Sequence, residues 1–313
     1  LRDMINNFVN VFGQVMVLFL LTAVGVICGR TNIIDEKAEG SIAAITLYIS
    51  TPCVIISAFQ TDFNYERMHG LAITLLVSAA IYAFGILLAK LTVRGGTHGQ
   101  CSVMKFAAVF SNCGFMGLPL AQTMFGDEGV FYSAAIVALF NLLIWTYGYY
   151  LMASGDAKTL PIKKLVLNPG IIALFVGIVL FLTSKKLPTP LHSTLKHLGN
   201  LNTPLGMLLV GSRLSRENLK NVFKLGRGWL CTVERLVVIP IAAVFALHIA
   251  GVSGKAALVS IIAGCAPAAS TTAMFAVLFH HDENFAAKIV SAQTILSALT
   301  MPVVVCIAQS ILL

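Results

Sequence analysis

Two runs of small, polar and proline residues interrupt apolar stretches of this 313-residue sequence. They are the best candidates for binding a ligand. The first run contains Asn112, Cys113, Gly114 and Pro119, and the second contains Pro267, Ala268, Ser270 and Thr271. Because proline lacks a backbone N–H and glycine weakens a helix, backbone polar groups should come free there. A helix N-terminus freed in this way carries partial positive charge and suits an anion. The alternative is a proline kink whose freed groups are satisfied by neighbouring helices.

Isolated polar side chains in other apolar runs are further candidates for ligand contacts. They are Thr51, Asn141 and Asn202. For each asparagine two interpretations stay open: an interhelical hydrogen bond, worth about 1 kcal/mol or less, or a contact to a ligand.

Glu234 and Arg235 are the acid and the base that lie well inside an apolar run. Charges at membrane depth indicate function by default, here ion coupling or charge balance for a substrate. They also lie about two turns from one end of the run, so snorkelling to the interface or a structural ion pair is the alternative. Adjacent helical residues point roughly 100° apart, so we do not expect these two to pair with each other.

The composition excludes a soluble globular protein. Hydrophobic residues make up 58% of the chain and charged residues 11%, against roughly 25% charged in an average soluble domain. The mean hydropathy is +0.88. The surplus apolar surface predicts a lipid bilayer as the partner, and the net charge of +8 then fits a cytoplasmic excess of Lys and Arg and not nucleic-acid binding.

Signatures of catalysis and of cofactors are missing from the sequence. There is no Walker A loop, GxGxxG, GxSxG or HExxH, and the seven cysteines form neither a CxxC pair nor a Cys/His cluster. The expectation is therefore a protein that is not an enzyme, with no cofactor and no metal site.

Apolar runs of spanning length predict an all-α integral membrane protein with ten transmembrane helices. The runs cover residues 4–29, 40–59, 70–89, 106–125, 129–152, 165–183, 198–212, 229–250, 256–279 and 285–311. With ten spans, fourteen Lys and Arg fall on one side and six on the side that holds both termini. By the positive-inside rule the termini are extracellular.

The two halves of five spans are predicted to be an inverted repeat. A shift of 152 residues places Thr51 and Pro52 on Thr203 and Pro204, and it also places Cys113 on Cys265. Paired interruptions in spans four and nine favour a transport site at the membrane midplane over two unrelated kinks.

The motifs resemble those of the auxin efflux carrier family, which includes plant PIN-FORMED auxin exporters and bacterial permeases described for malate or malonate. The resemblance covers nearly the whole chain and rests on SNCGFMGLPLAQTMFG, IAGCAPAASTTAMFA, NPG at the start of span six, NTPLGMLLVG and ILSALTMPVV. It indicates a bacterial member. Asn112, Pro119, Asn141 and Pro267 match family positions, whereas Ala268 replaces the glutamine of plant members.

The resemblance implies an inverted five-plus-five fold in which helices four and nine are broken and cross. A scaffold of residues 1–63 and 156–214 and a mobile transport unit of residues 64–155 and 215–313 would work as an elevator. It also implies a homodimer in the cell membrane and a small organic anion as substrate.

Three functions are compatible with these features. The leading one is a secondary active or facilitative carrier of small carboxylates such as malate, malonate or auxin-like acids, with H+ or Na+ as candidate coupling ions. The second is a sodium-coupled carrier of larger amphipathic acids, similar to bile-acid transporters. The third is a channel or receptor, which the concentration of polarity at two points disfavours.

Overall fold

The computed structural model describes residues 2–153, 167–217 and 219–313. All of the regular structure in this part of the chain is helical, apart from one isolated β-bridge. The predicted cytoplasmic loop that includes Lys158, and with it the boundary between residues 155 and 156, lies outside the described residues.

Thirteen helices follow one another in these described ranges. They are α1 Arg2–Arg30, α2 Glu36–Ala58, α3 Tyr65–Thr92, α4 His98–Val109, α5 Cys113–Met152, α6 Pro169–Thr183, α7 Thr189–Asn200, α8 Asn202–Ser215, α9 Leu219–Val222, α10 Gly228–Ile249, α11 Lys255–Gly264, α12 Thr271–Leu278 and α13 Glu283–Leu312. Four π-helical turns interrupt the α-helical pattern, at Thr46–Ser50, Cys113–Gly117, Ile144–Gly148 and Glu234–Val238.

Six of these helices contain a stretch long and apolar enough to cross a membrane. They are α1, α2, α3, α5, α10 and α13, and the apolar helices α6 and α11 are shorter. Large hydrophobic side chains such as Leu20, Leu76 and Phe175 remain exposed on these helices. In a membrane this surface faces lipid, so the chain is a multi-pass membrane protein.

Polar caps fix where several helices begin. Asp35, Asn64, Thr97, Asn168 and Asp282 each accept a hydrogen bond from a backbone N–H in the first turn of the helix that follows. These caps satisfy backbone N–H groups that the first turn of a helix leaves without a partner. They therefore fix the residue at which each helix begins.

The helix α5 consists of two helices joined at a kink. Gly126 adopts φ 59° and ψ −140°, a left-handed conformation that favours glycine. A Cβ on Gly129 would overlap the carbonyl of Ala121, so the chain bends sharply at Gly126. The predicted run 129–152 falls within the second part of α5, whereas the predicted run 106–125 is divided between the end of α4, the segment 110–112 and the first part of α5.

The seventh apolar run, residues 198–212, differs from its prediction. It is divided at Leu201 between α7 and α8, and α7 extends back to Thr189. The helix α8 packs against α1 so closely that a Cβ on Gly25 would overlap the carbonyl of Leu208. Small residues allow such backbone contact between membrane helices.

Candidate functional site

The chain segments between α4 and α5 and between α11 and α12 pair with each other inside the protein. We call these residues, 110–112 and 265–270, the crossing. The Asn112 N–H donates to the Pro267 carbonyl at 2.7 Å, and the Ala269 N–H donates to the Phe110 carbonyl at 2.9 Å. Ser111 and Ala268 form an antiparallel bridge. Backbone groups that leave helical hydrogen bonding at this depth are thereby satisfied across the crossing.

The local sequence explains why the first interruption sits where it does. The Asn112 side-chain oxygen accepts from the Phe115 N–H at 3.3 Å and caps α5. The π-helical turn Cys113–Gly117 follows, and Pro119 lies within the first turn of regular α-helix after it. Pro119 therefore does not break the helix itself, because proline is tolerated at that position. A Cβ on Gly114 would meet no atom within 4 Å, so the start of α5 borders open space, whereas Cys113 is buried.

Gln293 of α13 positions the second segment, and sequence analysis missed it. Its side-chain oxygen accepts from the Ala268 N–H at 2.9 Å, and its nitrogen donates to the Thr232 hydroxyl at 3.4 Å. Gln293 is fully buried. The signal available in the sequence was the same as for Asn141: a lone amide inside an apolar run.

Glu234 and Arg235 are both buried and turn to different partners. The Arg235 guanidinium donates from Nη1 to the carbonyls of Ala108 and Val109, at 3.2 and 3.0 Å, at the end of α4. The Glu234 carboxylate accepts a hydrogen bond from Thr92 of α3. As expected from their adjacency, they do not bond to each other, and neither lies at an exposed interface, since their exposed fractions are 3% and 2%.

Three other predicted contact residues, Thr51, Asn141 and Asn202, bond to partners that are not part of the crossing. Asn141 accepts from the Asn168 side chain at 3.0 Å and donates to the Val137 carbonyl at 2.8 Å. The Thr51 hydroxyl donates to the Asn202 side-chain oxygen at 2.9 Å, which joins α2 to α8. These are the interhelical hydrogen bonds that formed one of the two interpretations of the asparagines.

An open groove of about 450 Å³ leads away from the crossing. Its polar lining comes from Ser270 of the crossing, from Glu283 and Asn284 at the start of α13, and from Arg213 of α8. The rest of the lining is apolar and consists of Ala273, Met274, Val277 and Ala287. The Arg213 side chain is 3.8 Å from the Glu39 carboxylate of α2. Thr271, which follows Ser270, has a buried hydroxyl without a hydrogen-bond partner.

Partial charges of both signs meet at the crossing. Two helices, α5 and α12, begin here, and each N-terminus contributes roughly half a positive charge, whereas α4 and α11 end here, and each C-terminus contributes roughly half a negative charge. The negative end of α4 is covered by the Arg235 guanidinium. In the described ranges no group of His, Cys, Asp and Glu side chains is arranged to hold a metal ion.

Comparison with known proteins gives the chain its family. A family model described as "Membrane transport protein" matches residues 10–164 and 158–305. Two relatives named as uncharacterised transporters, from Methanothermobacter thermautotrophicus and Methanocaldococcus jannaschii, are 23% and 24% identical over 92% of this chain and 95% of their own lengths. A Rhizobium meliloti protein named "Putative malonate transporter" is 23% identical over 67% of this chain and 68% of its own length. The matched regions take in the crossing, and the chain belongs to this family of membrane transport proteins, the auxin efflux carrier family that its motifs resemble.

Proposed function

We propose that the protein is a secondary active or facilitative carrier of small organic carboxylates, such as malate, malonate or auxin-like acids. The observation that carries the proposal is the crossing, where α5 and α12 begin and where Ser270, the residue before α12, lines the groove. A carboxylate is the complement of two helix N-termini because it is small, negative and accepts several hydrogen bonds. The name of the Rhizobium meliloti relative supports a dicarboxylate.

The substrate would bind at the crossing through Asn112, Gly114 and the hydroxyls of Ser270 and Thr271. The Thr271 hydroxyl has no partner within the protein, which supports a role in binding a ligand. Arg213 would attract anions into the groove, because a charge in a low-dielectric wall raises the local concentration of the opposite charge.

We propose ten spans arranged as an inverted repeat with broken, crossing fourth and ninth helices. The kink at Gly126 supports the count, since it divides α5 into two helices. The hydrogen bonds between the two halves of the chain at the crossing support the repeat. Elevator-type movement of the crossing against a scaffold, a homodimer, coupling to H+ or Na+, and a cell-membrane location with both termini extracellular complete the proposal.

Uptake by purified protein in proteoliposomes tests the substrate class. We expect saturable uptake of labelled malonate or malate that unlabelled dicarboxylates compete for, with acetate, indole-3-acetate and a bile acid compared at equal concentration. Runs with and without a sodium or pH gradient separate the coupling ions. Absence of saturable uptake for every carboxylate would refute the proposal, and preferred uptake of the bile acid would favour a carrier of larger acids.

Asn112→Ala tests the site itself. Loss of a buried hydrogen-bonding group costs about 1–3 kcal/mol, so malonate uptake should fall roughly tenfold or more at unchanged protein abundance. The matched control is Asn64→Ala, because Asn64 also caps a helix but lies at the exposed start of α3. Both variants lose a cap worth about 1 kcal/mol, so only the binding role differs. Equal uptake by the two variants would show that Asn112 is not part of the site.

A further inference from the structure

A small polar cavity lies behind the crossing, separate from the groove. Its volume is about 10 Å³, which is room for about one water molecule. The crossing, α3, α10 and α11 all contribute to its wall. The polar side chains of the wall are those of Ser78, Tyr82, Ser111, Arg235 and Ser260.

Several hydrogen-bond donors of this wall are buried and incompletely bonded. Arg235 is 2% exposed, and its Nε and Nη2 have no hydrogen-bond partner within the described part of the chain. The hydroxyls of Ser78 and Tyr82 are also buried there without a partner. Buried polar groups are nearly always bonded, either to the protein or to ordered water, so these groups indicate that a ligand occupies the cavity.

The charges around the cavity balance without an ion. The C-terminal end of α4 accepts from the Arg235 guanidinium, at the carbonyls of Ala108 and Val109. The last turn of α11, which includes Ala263 and Gly264, also lines the cavity. Each of these helix ends contributes roughly half a negative charge, so the two together offset the guanidinium. The ligand that fits is therefore neutral, and it must accept from N–H and O–H groups.

We propose that the cavity binds one ordered water molecule, which holds the first segment of the crossing in place. The water oxygen accepts from the Arg235 guanidinium and the Tyr82 hydroxyl, and the water donates to the hydroxyl oxygens of Ser78 and Ser111. Two to four polar partners are what a buried water requires. Through this water Arg235 and Tyr82 position Ser111, so that α3 and α10 support the crossing from behind.

An experimental density map in which other ordered waters are visible tests the site directly. We expect a peak in the cavity at hydrogen-bond distance, about 2.7–3.2 Å, from the Arg235 guanidinium and the Tyr82 hydroxyl. An empty cavity in such a map would overturn the proposal.

Filling the cavity tests the proposal in solution. A Cβ on Gly264 would meet Ile81, another residue of the wall, at 3.5 Å and no closer atom outside its own helix, so Gly264→Ala places a methyl group in this space. The methyl group would displace the water and leave its donors unpaired, so the Tm should fall. In an empty cavity the same methyl group would add packing contacts and raise the Tm. An unchanged or higher Tm would therefore refute the proposal.

Gly85→Ala is the matched control. Gly85 is a buried glycine of α3 that does not line the cavity, and a Cβ there would meet Ile239 at 3.4 Å, an ordinary contact. Because alanine is favoured over glycine within a helix, the Tm of this variant should stay unchanged or rise.

Amide hydrogen exchange locates the effect at the crossing. The Asn112 N–H, which follows Ser111, bonds to the Pro267 carbonyl across the crossing. In Gly264→Ala the exchange of the peptide that contains residues 110–112 should be faster by about fivefold, the effect of roughly one lost hydrogen bond. If that variant does not fold, Tyr82→Phe, which removes one partner of the water and keeps the ring, gives the same readout. Exchange at the unmodified rate in the folded variant would show that no water supports the crossing.

Discussion

At the scale of single residues, the buried arginine and the buried glutamate have separate roles. Arg235 bonds to the end of α4 behind the crossing, and Glu234 bonds to Thr92. The guanidinium covers a negative helix end, while in the proposed site the starts of α5 and α12 would face the anion. The affinity for a substrate should therefore depend on the helix starts more than on Arg235.

The variant Arg235→Gln should lower the transport rate, because the end of α4 loses its charged donor. The dissociation constant for substrate should change by less than about tenfold, equivalent to roughly 1.4 kcal/mol. Direct binding and transport measurements on the same preparation check this. A much larger loss of affinity would show that the arginine itself holds the anion.

Glu234→Gln separates proton coupling from a structural role. If the carboxylate carries a coupled proton, the variant should lose the pH dependence of uptake and still exchange labelled for unlabelled substrate. The bond from Thr92 is one that a glutamine oxygen can also accept, so folding should be preserved. Uptake that keeps its pH dependence in this variant would assign Glu234 to structure alone.

At the scale of helices, α1 and α8 approach so closely that only glycine fits at their contact. A Cβ on Gly25 would overlap the Leu208 backbone, whereas a Cβ on Gly13 of the same helix meets no atom within 4 Å. A comparison of alanine variants at these two glycines therefore distinguishes the effect of helix propensity from the effect of packing. Backbone contacts of this kind hold membrane helices together by van der Waals attraction.

Gly25→Ala should lower the Tm, because α1 and α8 must move apart to admit the methyl group. Gly13→Ala should leave the Tm unchanged or raise it, since alanine favours an exposed helix by up to about 1 kcal/mol over glycine. Thermal unfolding in one detergent compares the two. Equal shifts would mean that the helices do not pack as closely as described.

At the scale of the whole molecule, the proposed ten spans assign every loop to one side. The loop between α9 and α10 belongs to the side with fourteen Lys and Arg, and the loop between α10 and α11 belongs to the other. Lys224 and Ser253 are exposed in these two loops and are suitable positions for labelling.

In a background with Cys28 and Cys101 replaced by serine, Lys224→Cys should react only with a reagent that reaches the cytoplasm. Ser253→Cys should react with an impermeant reagent added outside, as should tags at either terminus. The positive-inside rule is the physical reason. Reaction of both cysteines from the same side would refute the ten-span topology.

The sequence by itself determined the membrane class and the location of both interruptions. Composition settles the first, because 11% charged residues cannot cover a soluble protein of this size. Pro267 lies within the second segment of the crossing, whereas the first segment, residues 110–112, lies at the start of the predicted run and is followed by a helix that tolerates Pro119 in its first turn.

Only the tertiary structure decided which polar groups meet. Arg235 and Ala108 are 127 residues apart, and Gln293 reaches Ala268 from a different helix. Asn141 could equally have faced a ligand or Asn168, because a helical pattern fixes the face of a side chain but not the neighbour opposite it. Hydrogen-bond partners depend on how helices pack in three dimensions, and that packing is set by contacts distributed over the whole chain.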